Sequence, residues 1–121
     1  MAKNIKTICF DLDNTLCRTF KNYYHESKPI KKNIRLVNEL FREGYNIKIF
    51  TSRFMGRSNE NQLKAKKKGF KLTIQQLKKW NIKYHKLIMG KPSYDLIIDD
   101  KAFGYGIEWP SKLKKILKGK S

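Results

Sequence analysis

A chain of 121 residues has room for one domain with a substantial core, but not for a catalytic domain and a separate lid domain, so a single domain over residues 1–121 is expected. Its 28 basic and 10 acidic residues give a net charge of +18, and its two cysteines, Cys9 and Cys17, are too few and too ill-spaced for a zinc cluster and are expected to be reduced. No run of about 18 apolar residues is present to span a bilayer, and Met1-Ala2-Lys3-Asn4 leads straight into a strand without a signal-peptide core, so a cytoplasmic protein with no membrane partner is expected.

Ile5 to Phe10 predicts a strand whose apolar end, Ile8-Cys9-Phe10, suits a central parallel position buried on both faces, with Cys9 packing as a small hydrophobe. Residues 14–29 are polar and aromatic without period, which predicts a loop or flap over the strand end. Ile30, Ile34, Val37, Leu40 and Phe41 form a helical stripe over residues 30–43, stopped by Gly44. Residues 46–50 predict a second strand ending at Thr51-Ser52-Arg53. Ser58-Asn59-Glu60-Asn61 reads as an N-cap to a basic helix ending near Gly69, and Thr73 opens a second helix to Trp80. Leu87-Ile88-Met89 predicts a third strand, residues 94–98 a fourth ending at Asp99-Asp100, and residues 107–109 a short fifth. Pro110 opens a last amphipathic helix with Leu113, Ile116 and Leu117 on one side. Strands alternating with helices predict an α/β fold with a doubly wound, mostly parallel sheet, whose ligands bind beyond the carboxyl ends of the strands.

Asp11-Leu12-Asp13-Asn14-Thr15 places two carboxylates and a hydroxyl at the end of the first strand. Phosphate esters resist attack because nucleophile and substrate are both anionic, so a phosphoryl-transfer site needs a fixed nucleophile, a metal and a cation. Asp11 is the candidate nucleophile, forming an aspartyl-phosphate, and Asp13 the candidate acid/base. Asp99 and Asp100 are candidate Mg²⁺ ligands with Asp11, and Lys91, held by Pro92, is the candidate cation. Thr51 or Ser52 offers a hydroxyl and backbone N–H groups to the phosphoryl oxygens. Arg53 and Arg57 either grip a second anionic group or are plain surface arginines. Tyr23, Tyr24 and His25 in the flap either stack on substrate or pack on their own core, and Trp80 and Trp109 read as core anchors. The excess charge is mostly Lys, spread over helical stretches with no patch that interleaves Arg and aromatic residues, and reads first as solvated faces.

In this order the residues resemble the haloacid dehalogenase-like (HAD) superfamily of aspartate-dependent phosphatases, over essentially the whole chain. The nucleophile loop corresponds to Asp11 through Thr15, the second-strand hydroxyl to Thr51, the lysine to Lys91 and the metal-binding acids to Asp99-Asp100. The resemblance implies a HAD-like Rossmannoid fold, Mg²⁺ as cofactor, and Asp13 as a metal ligand through its backbone carbonyl. Asn14 stands where many members carry Gly, a tolerable change because Asn also accepts unusual backbone angles. The stretches Phe50 to Arg57 and Gly90 to Lys101 look like small capless members associated with bacterial capsular polysaccharide biosynthesis, which implies a phosphorylated sugar or related saccharide substrate. Neither residues 14–29 nor 54–86 could hold a cap domain, so an open site is expected, suited to a large substrate or closed by a second copy in a homo-oligomer. Alternative expectations are a nucleic-acid 3′-phosphatase of the polynucleotide kinase-phosphatase type, which the +18 charge would suit, and a non-catalytic binding or regulatory subunit of the same fold.

Overall fold

Alternating apolar residues at Ile8 and Phe10, and again at Ile47 and Ile49, build neighbouring strands in the computed structural model, which describes residues 5–55, 62–92, 94–96 and 101–118. The chain divides into two compact units, Thr7–Ser93 and a second formed by Met1–Lys6 with Tyr94–Ser121. In the first, β1 (Thr7–Asp11), β4 (Asn46–Thr51) and β5 (Lys86–Met89) form a parallel sheet in the order β1-β4-β5. Helix α1 (Lys31–Arg42) links β1 to β4, and α2 (Gln62–Lys79) links β4 to β5. Both crossovers step the same way across the sheet, so right-handed connections put both helices on one face. Asn38 of α1 ties them together, donating to the Asn81 carbonyl and accepting from the Lys83 N–H, each at 2.8 Å. The protein is thus α/β with a parallel sheet and, among the described residues, three helices.

The register sets Ile8 beside Ile47, Phe10 beside Ile49 beside Leu87, and Thr51 beside Met89, all on one sheet face. Ile47, Ile49 and Thr51 are buried there, with Val37 and Leu40 of α1 and Leu77 of α2 also in the core. Cys9 and Asp11 lie on the opposite face. Cys9 is exposed, which corrects the expectation of a strand buried on both faces: only Phe10 of the strand is fully buried, and Cys9 stands on the other sheet face.

The flap over residues 14–29 is more ordered than its composition indicates. Cys17–Arg18 (β2) pairs antiparallel with Lys28–Pro29 (β3), and a 3₁₀ turn at Tyr24–Glu26 lies between them. The helical stripe of α1 runs as expected, with Ile34, Val37 and Leu40 buried and Gly44 at φ +101° ending it.

Gly69 does not end a helix; α2 runs through it without a break to Lys79. The glycine is there for space. A Cβ on it would stand 2.6 Å from Cε2 of the Phe54 ring and nearer still to Cδ2. Alanine for glycine inside a helix ordinarily adds about 1 kcal/mol of stability. Here Gly69→Ala is expected to lower stability by about 1–3 kcal/mol, because the Phe54 ring must move. Thermal melts of Gly69→Ala and of Gly69→Ala with Phe54→Leu would check this, the second being the more stable.

The predicted fourth strand does not form over its described part: Tyr94, Asp95 and Leu96 are exposed and irregular, and residues 97–100 lie outside the described residues. The predicted fifth strand is a turn. Ile107 is exposed, the Trp109 N–H donates to the Gly106 carbonyl, and α3 (Trp109–Leu117) starts with Pro110 in its first turn, where the fixed φ of proline favours a helix. Trp109, Leu113 and Leu117 are buried, whereas Ile116 is exposed.

Candidate active site

Asp11 ends β1, and the chain turns tightly after it. The Leu12 carbonyl accepts N–H groups from Thr15, Leu16 and Cys17 at 3.2, 2.8 and 3.3 Å. Asn14 takes φ +63° in this turn, a left-handed conformation that Asn tolerates, and its Oδ1 accepts the Thr19 N–H at 3.0 Å. The loop therefore presents both acids at the carboxyl end of the sheet.

Two donors hold the Asp11 carboxylate. Thr15 Oγ1 donates to Oδ2 at 3.2 Å, and Lys91 Nζ donates to Oδ1 at 3.2 Å as an ion pair. Lys91 reaches this point because Gly90, at φ +94°, turns the chain out of β5 and the Lys91 N–H bonds the Thr51 carbonyl at 3.0 Å. Three strand ends are thereby joined, and 38% of the Asp11 side chain stays open to solvent.

Asp13 faces a different partner. Arg53 Nε donates to both its oxygens, at 3.1 and 3.0 Å, and a terminal nitrogen donates to Oδ1 at 2.9 Å. Thr19 Oγ1 donates to Oδ1 at 2.6 Å, and the Cys17 thiol lies 3.6 Å from the same oxygen. Oδ1 is crowded, whereas among the described residues Oδ2 accepts from Arg53 Nε only.

Arg53 is 0% exposed, which corrects its expected place as a surface or substrate-gripping arginine. Its remaining donors go to Thr73 and Gln76 of α2 and to Ser27 and Cys17 of the flap, and its guanidinium carbon lies 5.0 Å from the centre of the Tyr24 ring. Gln76 Nε2 in turn donates to the Tyr24 carbonyl at 2.6 Å. One buried cation thus fastens the flap to α2 and fixes Asp13. Sequence spacing could not reveal this, because Arg53 stands 40 residues from Asp13 and more than 20 from Ser27 and Gln76.

Thr51 is buried, and its hydroxyl accepts the Arg53 N–H at 3.1 Å, so it caps the turn after β4. Ser52 is half-buried, and its carbonyl accepts the Met55 N–H. Tyr24 packs inward on Phe54, with ring centres 4.9 Å apart, while Tyr23 and His25 stay exposed. Arg57, Asp99 and Asp100 lie outside the described residues.

Mg²⁺ favours hard oxygen donors, and the half-open Asp11 carboxylate is one. The Asp13 carboxylate is already engaged by Arg53, so a metal contact from that residue falls to its backbone carbonyl. Among the described residues no three His, Cys, Asp or Glu side chains cluster.

The two thiols differ sharply. Burial, and next the Asp13 carboxylate, push Cys17 up to about 11, while partial burial raises Cys9 less, offset by Lys91 and Lys48. With a thiol reagent at pH 8, the folded protein is expected to titrate one cysteine, Cys9, and the unfolded chain both. Two fast thiols in the native protein would contradict the burial of Cys17.

No protein-family model and no curated protein matches the chain. A solved structure does: the crystal structure of a structural-genomics target from Vibrio cholerae is 25% identical, with a TM-score of 0.75, over 93% of this chain and 98% of that one. The two chains share an α/β fold over nearly their whole lengths. Among the described residues, no helix is long and apolar enough to cross a membrane.

Proposed function

We propose that the protein is a Mg²⁺-dependent phosphomonoesterase of the HAD type, acting through an aspartyl-phosphate on Asp11. The observation that carries this reading is the Asp11–Lys91 pair, a half-open carboxylate held at 3.2 Å from an ammonium group where parallel strands end. An ammonium in that place offsets the repulsion between a carboxylate and an incoming phosphate dianion. Asp11, the carbonyl of Asp13 and one or both of Asp99 and Asp100 would hold the metal, which when bound supplies further charge neutralisation at the phosphate.

In the first half-reaction an Asp11 oxygen would bond to phosphorus as the ester P–O bond breaks, and Asp13 would give its proton to the departing oxygen. In the second, Asp13 would take a proton from the water that attacks the phosphorus of the aspartyl-phosphate, releasing phosphate and restoring the Asp11 carboxylate. Lys91 stays paired with the reacting anions throughout. Thr15 fixes the rotamer of Asp11, and Arg53 that of Asp13.

Phosphate release from an aryl phosphate with Mg²⁺, lost on chelation, tests the reading. Equal rates for the unsubstituted protein and Asp11→Asn would refute it. Two substrate classes suit the open site, a phosphorylated saccharide and a 3′-phosphorylated nucleic acid. A groove beside the flap favours the second.

A further inference from the structure

Next to the flap lies an open groove of about 590 Å³ between the 3₁₀ turn, α1 and the end of α2. Lys28, Lys31, Arg35 and Lys79 line it, and Trp80 forms part of its wall. A second hollow of about 340 Å³ shares Glu26 and Lys28 with the first and continues past Arg18 and Phe20 to Asn14 of the nucleophile loop. The two hollows adjoin at Glu26 and Lys28, and the second reaches Asn14, in the loop that carries Asp11 and Asp13. Glu26 is the sole carboxylate among the described residues lining either hollow.

Among the described residues, none of Lys28, Lys31, Arg35 and Lys79 makes an ion pair. Trp80 is half-buried rather than a closed core anchor, and Phe20 is 70% exposed, with Lys21 Nζ 5.4 Å from its ring centre. The Tyr23 ring stands with its centre 6.0 Å from that of Phe20, and most of the Phe20 ring remains open to a stacking partner. A row of cations following a groove, with aromatic faces at both ends, matches how flexible single strands are held: cations track the phosphates while bases stack on the rings.

We propose that these hollows bind single-stranded nucleic acid and lead its end to Asp11. As to the site, the proposal deepens the phosphomonoesterase reading and rests on it, because it makes the substrate the terminal phosphate of an oligonucleotide. As to binding, it stands on the groove alone. An acidic polysaccharide shares the negative charge but has no flat bases, so the aromatic residues separate the two.

The test is fluorescence anisotropy of a labelled single-stranded DNA of about 12 nucleotides, within the usual site sizes for such grooves. Arg35→Glu with Lys79→Glu is expected to weaken binding about tenfold or more and to lower the slope of log affinity against log salt by about 1.4, two phosphate contacts at about 0.7 each. Lys28→Glu with Lys31→Glu is the second pair, should the first not fold. Phe20→Ala is expected to weaken binding about fivefold or more through lost stacking.

Lys112→Glu with Lys115→Glu, exposed on α3, changes the net charge equally and is expected to weaken binding much less. Equal weakening by both pairs would mean diffuse attraction to a +18 protein and would overturn the proposal. So would equally tight binding of duplex DNA, or displacement by polygalacturonate as effective per charge with no effect of Phe20→Ala. The two readings fail separately: anisotropy reports binding whether or not a bond is cleaved, and aryl phosphate hydrolysis reports cleavage with no strand present.

Discussion

Asp11→Asn is expected to reduce phosphate release from an aryl phosphate by about 10⁴-fold or more, the scale on which losing a covalent nucleophile acts. The amide keeps the shape of the carboxylate, its one oxygen still accepts from Lys91 and its NH₂ can donate to the Thr15 hydroxyl, so fold and melting temperature should change little. Denaturation of the magnesium-containing reaction during turnover should trap phosphate on the unsubstituted chain and none on Asp11→Asn. Residual turnover within tenfold of the unsubstituted protein would remove Asp11 from the chemistry. A loss of rate accompanied by a large fall in stability would not count for it, and circular dichroism separates the two.

The second large effect belongs to Arg53. Removing one partner of a buried pair leaves an uncompensated charge, so Arg53→Met is expected to cost about 3–5 kcal/mol and to lower the melting midpoint by more than about 10 °C. Asp13→Asn added to it should recover part of that loss, because the stranded carboxylate is gone; a double-mutant cycle with no coupling would contradict the pair. Arg53→Lys should remain impaired, since an ammonium cannot span both Asp13 oxygens and also reach Thr73 and Gln76. In turnover, Arg53→Lys is expected to show a reduced kcat with KM nearly unchanged, as for a residue that positions the acid/base group, whose contribution is about 10²–10⁴-fold.

Much of the fold follows from short-range pattern. The stripe of Ile34, Val37 and Leu40 with Gly44 behind it specifies α1, and the alternation of Ile47 and Ile49 specifies β4, because periodicity and glycine conformation act within a few residues. Gly69 shows where such reading fails: a glycine at a helix end and a glycine making room for a ring look alike in one dimension. Cys9 fails for a related reason, since an apolar run does not say whether both sheet faces are covered.

The same division runs through the site. Asp11, Asp13, Thr15 and Lys91 are legible as candidate residues of the proposed site from residue type and order, since two acids at a strand end and a lysine after a strand are local features. Which cation partners each acid is not. Asp11 meets Lys91 across 80 residues and Asp13 meets Arg53 across 40, and only the packing of β1, β4 and β5 decides which cation reaches which carboxylate. The basic lining is likewise gathered from the flap, α1 and the end of α2, so charges that look scattered along the chain become a groove only in three dimensions. Composition and local pattern set the elements and the stock of reactive groups; which of those groups lie within hydrogen-bonding distance is settled by long-range packing, because Coulomb and hydrogen-bond energies depend on separation in space.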